Sequence, residues 1–357
     1  MLAGACGSAP RGPAAEGERV ADPPGAVRAT LDELLLDRDA QRHPSDGGGR
    51  AWIEVAEVGP AAEATASGHG RWTFVYEAGP EGIAVGGMVF LQVSPFWGWS
   101  TPQVQAEDAP GYTVVSTEAE GLVLEPETLG QQLLGIRVGG RSLAPGEQIR
   151  IVYGAGLQGA RADRYAERES RFWIAVDGDG DGVRRLLPDS PVVEVGPGPP
   201  ARMVLTVPSV ARPGEVLPLT LAVLDAVGNA WPVIEGDLAL AATGGASLPE
   251  SVALSPEDRG RVVVEVTAAA EGTVSIEAHG PSTLNGVSNP LVVSPTLPRV
   301  YWGDLHGHSG LSDGTGTPED YYRYARDIAA LDVAALTDHD HWGMETLSES
   351  PELWEGI

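Results

Sequence analysis

The sequence predicts a mainly β protein: two β-sandwich-like domains, followed by one strand–helix–strand unit that opens a different kind of fold. Three observations predict it. Short apolar runs of period two recur through the middle of the chain, as half-buried strands require. Glycine (47) and proline (29) are frequent and sit between those runs, which favours turn-rich β architecture. Two junctions, Gly196–Pro200 and Ser294–Pro298, divide the chain, and only after the second does a helical stripe stand between two apolar runs. At 357 residues and 42% hydrophobic content, the chain has room and apolar material for two to three domains.

Residues 1–50 read as leader and linker, mostly disordered, with Pro23-Pro24 and Gly47-Gly48-Gly49. Within them Leu31, Leu34 and Leu35 recur at helical spacing, so Ala26 to Asp39 is expected as a short amphipathic helix. The single cysteine, Cys6, excludes an internal disulfide. Its setting, Leu2-Ala3-Gly4-Ala5-Cys6-Gly7-Ser8, is similar to the end of a bacterial lipoprotein signal, although the basic and apolar regions of such a signal are missing. Cys6 is therefore the candidate lipidation site. No apolar run approaches the roughly 18 residues that span a membrane, so membrane attachment is expected only through Cys6. The expected location is outside the cytoplasm of a bacterium: periplasmic, cell-surface or secreted.

The first β domain is expected over 51–195. Trp72, Phe74 and Tyr76 share one face of a strand, as do Ile149, Ile151 and Tyr153, and Phe172, Ile174 and Val176. Phe96-Trp97-Gly98-Trp99 offers two readings: a stacking platform for a sugar, or one tryptophan in the core and the other over an edge. The second is favoured, because large aromatics usually anchor cores. Asp177-Gly178-Asp179-Gly180-Asp181-Gly182 resembles the start of a calcium loop, but the twelfth position, where an EF-hand needs glutamate, is Pro188. An Asp/Gly-rich tip between two strands accounts for the run without metal. The second β domain, 201–297, has the size and alternation of an immunoglobulin-like sandwich, with Leu217, Leu219, Leu221 and Val223 on one side of its clearest strand. No chemistry is visible in it.

Chemistry concentrates after Pro298, in residues 298–357. Asp304-Leu305-His306-Gly307-His308 opens as a strand, which places Asp304, His306 and His308 on one face. Ser312-Asp313-Gly314 forms a turn that can fold back. Thr317 caps a helix with Pro318 at its first position and Glu319 and Asp320 in its first turn. A short buried strand, Leu331 to Leu336, then delivers Thr337-Asp338-His339-Asp340-His341. Four of the seven histidines lie in these two clusters. Imidazoles and carboxylates without thiolate suit Zn, Mn or Fe. A strand–helix–strand unit implies parallel strands, and ligands then bind beyond their C-terminal ends, where both clusters fall.

Asp304-Leu305-His306-Gly307-His308, Ser312-Asp313-Gly314 and Leu336-Thr337-Asp338-His339-Asp340 resemble the first two motifs of the PHP (polymerase and histidinol phosphatase) superfamily. The resemblance covers residues 300 to about 342. It implies the first βαβ unit of a distorted βα barrel that holds two or three divalent metals and hydrolyses small phosphoesters. It implies His306 and His308 as ligands of one metal, Asp313 and His339 as ligands of a neighbouring one, and Asp304 and Asp338 as groups that orient imidazoles or close the turn. Asp340 and His341 are auxiliary. A barrel takes about 250 residues, so the chain is expected to be the N-terminal part of a longer enzyme and inactive by itself. An amidohydrolase-like C–N hydrolase is a related possibility that the Ser-Asp-Gly and Thr-Asp-His-Asp patterns disfavour. The competing expectation is a binding or adhesion protein, its two sandwiches recognising a glycan or surface partner and its metal-binding tail degenerate. A net charge of −27, with 23 arginines and no lysine, disfavours a nucleic-acid partner.

Overall fold

The computed structural model describes residues 43–54, 63–130 and 132–339. Cys6, the expected helix Ala26 to Asp39, Asp340 and His341 lie outside the described residues.

The chain is mainly β. In the first sandwich, one sheet runs in the order Arg50–Ile53, Trp72–Glu77, Gln148–Tyr153, Thr113–Ser116. The other runs Arg185–Leu186, Trp173–Asp177, Met88–Gln92, Leu133–Gly139, Val123–Thr128. All of these pairings are antiparallel. Side-chain alternation explains the core. Ile149, Ile151 and Tyr153 point inward from one strand, Trp72, Phe74 and Tyr76 from its neighbour, and Val89, Leu91, Leu134 and Ile136 from the facing sheet, all buried in one cluster. Phe172 meets Phe74 at 4.8 Å and Trp99 edge-on at 4.9 Å between ring centroids. Each such side chain contributes roughly 1.5–3 kcal/mol by leaving water.

The turn at His43–Gly49 belongs to this domain and not to a linker, which corrects the expectation for residues 43–50. Ser45 and Asp46 are buried. Gly47 N–H donates to the Val176 carbonyl at 3.1 Å, and Tyr76 Oη donates to the Gly48 carbonyl at 2.7 Å. A Cβ on Gly49, whose φ is +106°, would fall 2.4 Å from the Glu77 carbonyl oxygen, so the glycine run answers to close backbone approach. Composition alone resembles linker; the tertiary contacts override it.

In the second sandwich the strand Glu215–Leu224 is central. It pairs with Arg202–Thr206 on one side and Arg261–Ala268 on the other, and the opposite sheet is Ser251–Leu254, Gly236–Ala242, Ile276–His279, Asn285–Val287. Leu217, Leu219, Leu221 and Val223 enter the core with Val264, Val266, Ile276 and Ala278. From Leu219 onward the strand is buried on both faces. The reason is a second small cluster, Ala222, Leu224 and Ala230 with Ile328, which lies at the end of the C-terminal helix.

That helix, Pro318–Asp327, joins two parallel strands, Gly303–Gly307 and Val333–Leu336. Thr317 is its N-cap, accepting from Asp320 N–H at 3.2 Å while the Asp320 carboxylate accepts from Thr317 N–H at 3.2 Å, a reciprocal capping box after a Gly turn. Tyr324 donates to the Gly228 carbonyl at 3.0 Å, and Arg261 donates to the Asp327 carbonyl at 2.8 Å, so the second sandwich receives the helix. The strand expected to be buried is partly open, with Val333 52% exposed, and Leu305 on the neighbouring strand is 66% exposed. With only two strands here, one face of the sheet has the helix and the other has no cover among the described residues.

Candidate metal centre

The candidate site lies at the C-terminal ends of the two parallel strands and is built on the loop between Ser309 and Gly316. Backbone bonds shape that loop. Ser312 N–H and Gly314 N–H both donate to the Ser309 carbonyl, at 3.1 and 2.9 Å, and Gly310 N–H donates to the Gly316 carbonyl at 2.7 Å. A Cβ at Gly314 would sit 2.2 Å from the His308 carbonyl oxygen, so only glycine closes the turn there. The turn brings Asp313 back onto the strand end, its Oδ1 2.7 Å from His308 Nδ1. His339, from the end of the second strand, reaches in with Nε2 4.0 Å from the same Oδ1. The ligand atoms of His308, Asp313 and His339 lie within 4.8 Å of one another. The His308 and His339 rings meet edge-on with centroids 4.5 Å apart.

Asp338 closes the loop from the other side. Its carboxylate accepts from Ser309 N–H at 2.7 Å, Ser309 Oγ at 2.8 Å and Ser312 Oγ at 2.6 Å. Three donors occupy its oxygens, which leaves it an anchor for the turn. His306 stands outside the three-residue cluster. Its ring lies 4.8 Å from that of His308, centroid to centroid, and its Nδ1 faces Thr337 Oγ1 at 3.1 Å. Strand alternation predicted a shared face for Asp304, His306 and His308. The ladder shifts register between Asp304 and Gly307 and the strand ends at Gly307, while Asp304 and His308 line one cleft and the His306 ring stands next to that of His308. Asp304 accepts from His306 N–H at 3.1 Å and lies beside Tyr321.

One polar atom of this group is left over. His308 Nε2 is buried and has no hydrogen-bond partner among the described residues. With Asp313 holding Nδ1–H, the tautomer assigned from the hydrogen bonds presents the Nε2 lone pair. A buried imidazole nitrogen without a partner is costly, and a second imidazole and a carboxylate converge beside it. The residues present therefore fit a borderline divalent cation.

The first sandwich contributes contacts that the sequence did not reveal. Trp97 Nε1 donates to the carbonyls of Asp313 and Gly314, at 2.9 and 3.0 Å. The Glu167 carboxylate accepts from Gly316 N–H at 3.0 Å. Burial pushes the Glu167 carboxyl above its ordinary value, against hydrogen bonds from Ser170 and Gly316 that lower it. Arg168 pairs with Asp320 at 2.7 Å and Glu319 at 3.2 Å. Trp99, by contrast, is a core residue, 2% exposed, donating to Ser170 Oγ at 3.0 Å. Trp99 therefore fills the core, while Trp97 is half-buried and its indole N–H holds the site loop. Beside the site a cleft of about 610 Å³ is lined by Asp304, His308, Glu167, Arg168, Trp231 and Tyr324.

A second acidic group joins Asp46, Asp177 and Asp179, with one carboxylate oxygen of each within 4.8 Å of the others. Asp177 accepts from Gly180 and Gly182 N–H, Asp46 from Gly178 and His43 N–H, and Asp179 from Asp181 N–H. Those backbone bonds account for the arrangement as a strand-joining tip.

No protein-family model matches the chain, and no curated protein matches its sequence. Solved structures match loosely. The D0-D1 domain of intimin is 8% identical with a TM-score of 0.22, over 69% of this chain and 98% of that one. A β-glycosidase from Bacteroides vulgatus is 12% identical with a TM-score of 0.27, over 68% of this chain and 25% of the glycosidase. A putative membrane anchored protein from Corynebacterium diphtheriae is 13% identical with a TM-score of 0.22, over 70% of this chain and 54% of that one. No helix among the described residues is long and apolar enough to cross a membrane.

Proposed function

We propose that the chain carries a divalent-metal centre held by His308, Asp313 and His339, and that this centre belongs to a PHP-like hydrolase acting on small phosphoesters outside the cytoplasm. The observation that carries the reading is the buried, unpartnered Nε2 of His308 beside a second imidazole and a carboxylate. A bound ion would supply Lewis acidity toward a phosphoryl oxygen and a more acidic water. The chain's own residues do the rest. Asp313 fixes the His308 ring through Nδ1, Asp338 fixes the loop that carries Asp313, and the neighbouring cleft offers the space of a small-molecule site. His306 is one ring away and is the residue best placed to serve a neighbouring ion.

The test is calorimetric titration of the protein with Zn²⁺ and Mn²⁺. Binding that His308→Ala abolishes is the expected result. No binding of either ion by the unaltered protein overturns the reading.

A second reading is a β-sandwich binding or adhesion protein that recognises a glycan or surface partner and carries a degenerate metal-binding tail. The observation in its favour is that two complete sandwich cores make up most of the described chain. Retention by a glycan array that is unchanged in His308→Ala, together with no metal binding, would favour it.

A further inference from the structure

We propose that Trp97, in the first β domain, is a positioning residue for the metal centre, holding Asp313 in ligating position from a distance of 216 residues along the chain. The proposal rests on the metal-centre reading above. Its physical basis is the anchoring of one short loop from two sides. Asp338 grips the Ser309 and Ser312 side of the loop from the adjacent strand. On the Asp313 and Gly314 side, the backbone carbonyls take their side-chain hydrogen bonds from Trp97 Nε1, at 2.9 and 3.0 Å. The Asp313 side chain turns the other way, its Oδ1 facing His308 Nδ1 at 2.7 Å.

Trp97 is itself held in place. Its ring packs edge-on against Tyr165 at 5.5 Å between centroids, and its carbonyl accepts from Arg164 N–H at 3.2 Å. Three residues past Asp313, Glu167 accepts from Gly316 N–H, and Arg168 grips Thr317, Glu319 and Asp320. The loop is thus clamped between the first sandwich and the second parallel strand. A carboxylate ligand on a glycine-rich turn loses affinity when the turn is free to wander, because ordering it must then be offset at the moment of binding. Groups that orient metal ligands typically matter at 10- to 100-fold in affinity. The first β domain is on this view part of the metal centre, and no mere attachment to it.

The experiment uses the whole chain, with Co²⁺ as probe and its visible spectrum as the readout. Trp97→Phe removes the N–H donor and keeps a ring in place. About tenfold weaker Co²⁺ binding is expected, by the orienting-group range, together with an altered band shape as Asp313 coordination changes. Val138→Ala, in the core of the facing sheet and away from the loop, should lower the melting temperature and leave affinity and spectrum unmoved. His308→Ala should abolish binding. If Trp97→Phe fails to fold, Glu167→Ala decides in its place, with a smaller loss in the same direction expected. Wild-type affinity and spectrum in the folded variant, with binding still abolished by His308→Ala, overturns the positioning role and leaves the metal centre standing. No Co²⁺ binding by the unaltered chain removes the centre itself, and the positioning role with it.

Discussion

Asp163 is fully buried, and one of its carboxylate oxygens, Oδ2, has no hydrogen-bond partner among the described residues. Burial pushes its pKa up to about 7, aided by the charge of Glu167 and opposed by the hydrogen bond from Tyr165 N–H and by Arg164. A carboxyl with a folded pKa above its unfolded value binds more protons in the folded state. Its favourable contribution is complete below the unfolded value of about 3.9 and disappears as pH rises through about 7. Three units correspond to at most about 4 kcal/mol. Asp163→Asn removes the ionisation and keeps the shape. Urea unfolding should therefore show the variant more stable than the parent at pH 8 by ~2 kcal/mol, with the difference vanishing near pH 4. Equal stabilities at pH 8 would show that the parent relieves the buried charge in some other way. The two tryptophans show what a sequence reveals at this scale. Trp99 and Trp97 look alike in Phe96-Trp97-Gly98-Trp99, yet one fills a core and the other binds a loop far away in sequence. The pattern marks both as anchors, but the partner of each is set by tertiary contacts that leave no trace nearby in the chain.

At the scale of elements, the helix was the most legible part. Thr317, Pro318 and the acidic first turn are local chemistry, and the helix begins where they place it. The site loop was half legible. Ser-Asp-Gly signals a turn, and the turn does return Asp313 to His308. His306 was legible as a neighbour of His308, whose ring it meets, but the register shift beside it was not, because nothing in the local pattern marks an irregular ladder. Asp338 ties the second strand to the loop through three donors. Asp338→Ala would strand those donors and release the loop, so a loss of about 2–3 kcal/mol is expected from unsatisfied hydrogen bonds to a charged group. Hydrogen exchange should report it as faster exchange of the Ser309 and Gly314 amides, with the sandwich amides unchanged. Protection that stays as in the parent would mean that Trp97 and Glu167 suffice to hold the loop.

For the whole molecule, the organising feature is a turn whose sequence reads only as a connection. Asp225 to Asn229 leads out of the central strand of the second sandwich, and three parts of the chain meet on it. Asn229 is buried and reaches the first sandwich, its Oδ1 accepting from Ala166 N–H and its Nδ2 donating to the Arg164 carbonyl, both at 2.9 Å. Gly228 accepts from Tyr324 of the C-terminal helix at 3.0 Å. Asp225 holds the turn together, accepting from the N–H groups of Val227, Gly228 and Asn229. Burial raises the Asp225 carboxyl, and hydrogen bonds from Gly198, Asn229 and Val227 more than offset this, so it stays below its ordinary value. Arg164 and Ala166 flank Tyr165, against which Trp97 packs, so the same turn lies behind the segment that steadies the site loop. Asn229→Ala would leave two backbone groups of the first sandwich without their partner, at roughly 1–3 kcal/mol each, and would cut the direct polar link between the sandwiches. Calorimetry should then resolve a single unfolding transition of the parent into two, because each sandwich keeps its own core. Metal affinity should fall as well, since Arg164 and Tyr165 set the position of Trp97. A single transition at the parent's temperature would mean that the sandwiches are coupled through the helix and the Ala222, Leu224 and Ile328 cluster instead, and Ile328→Ala would then be the change that separates them.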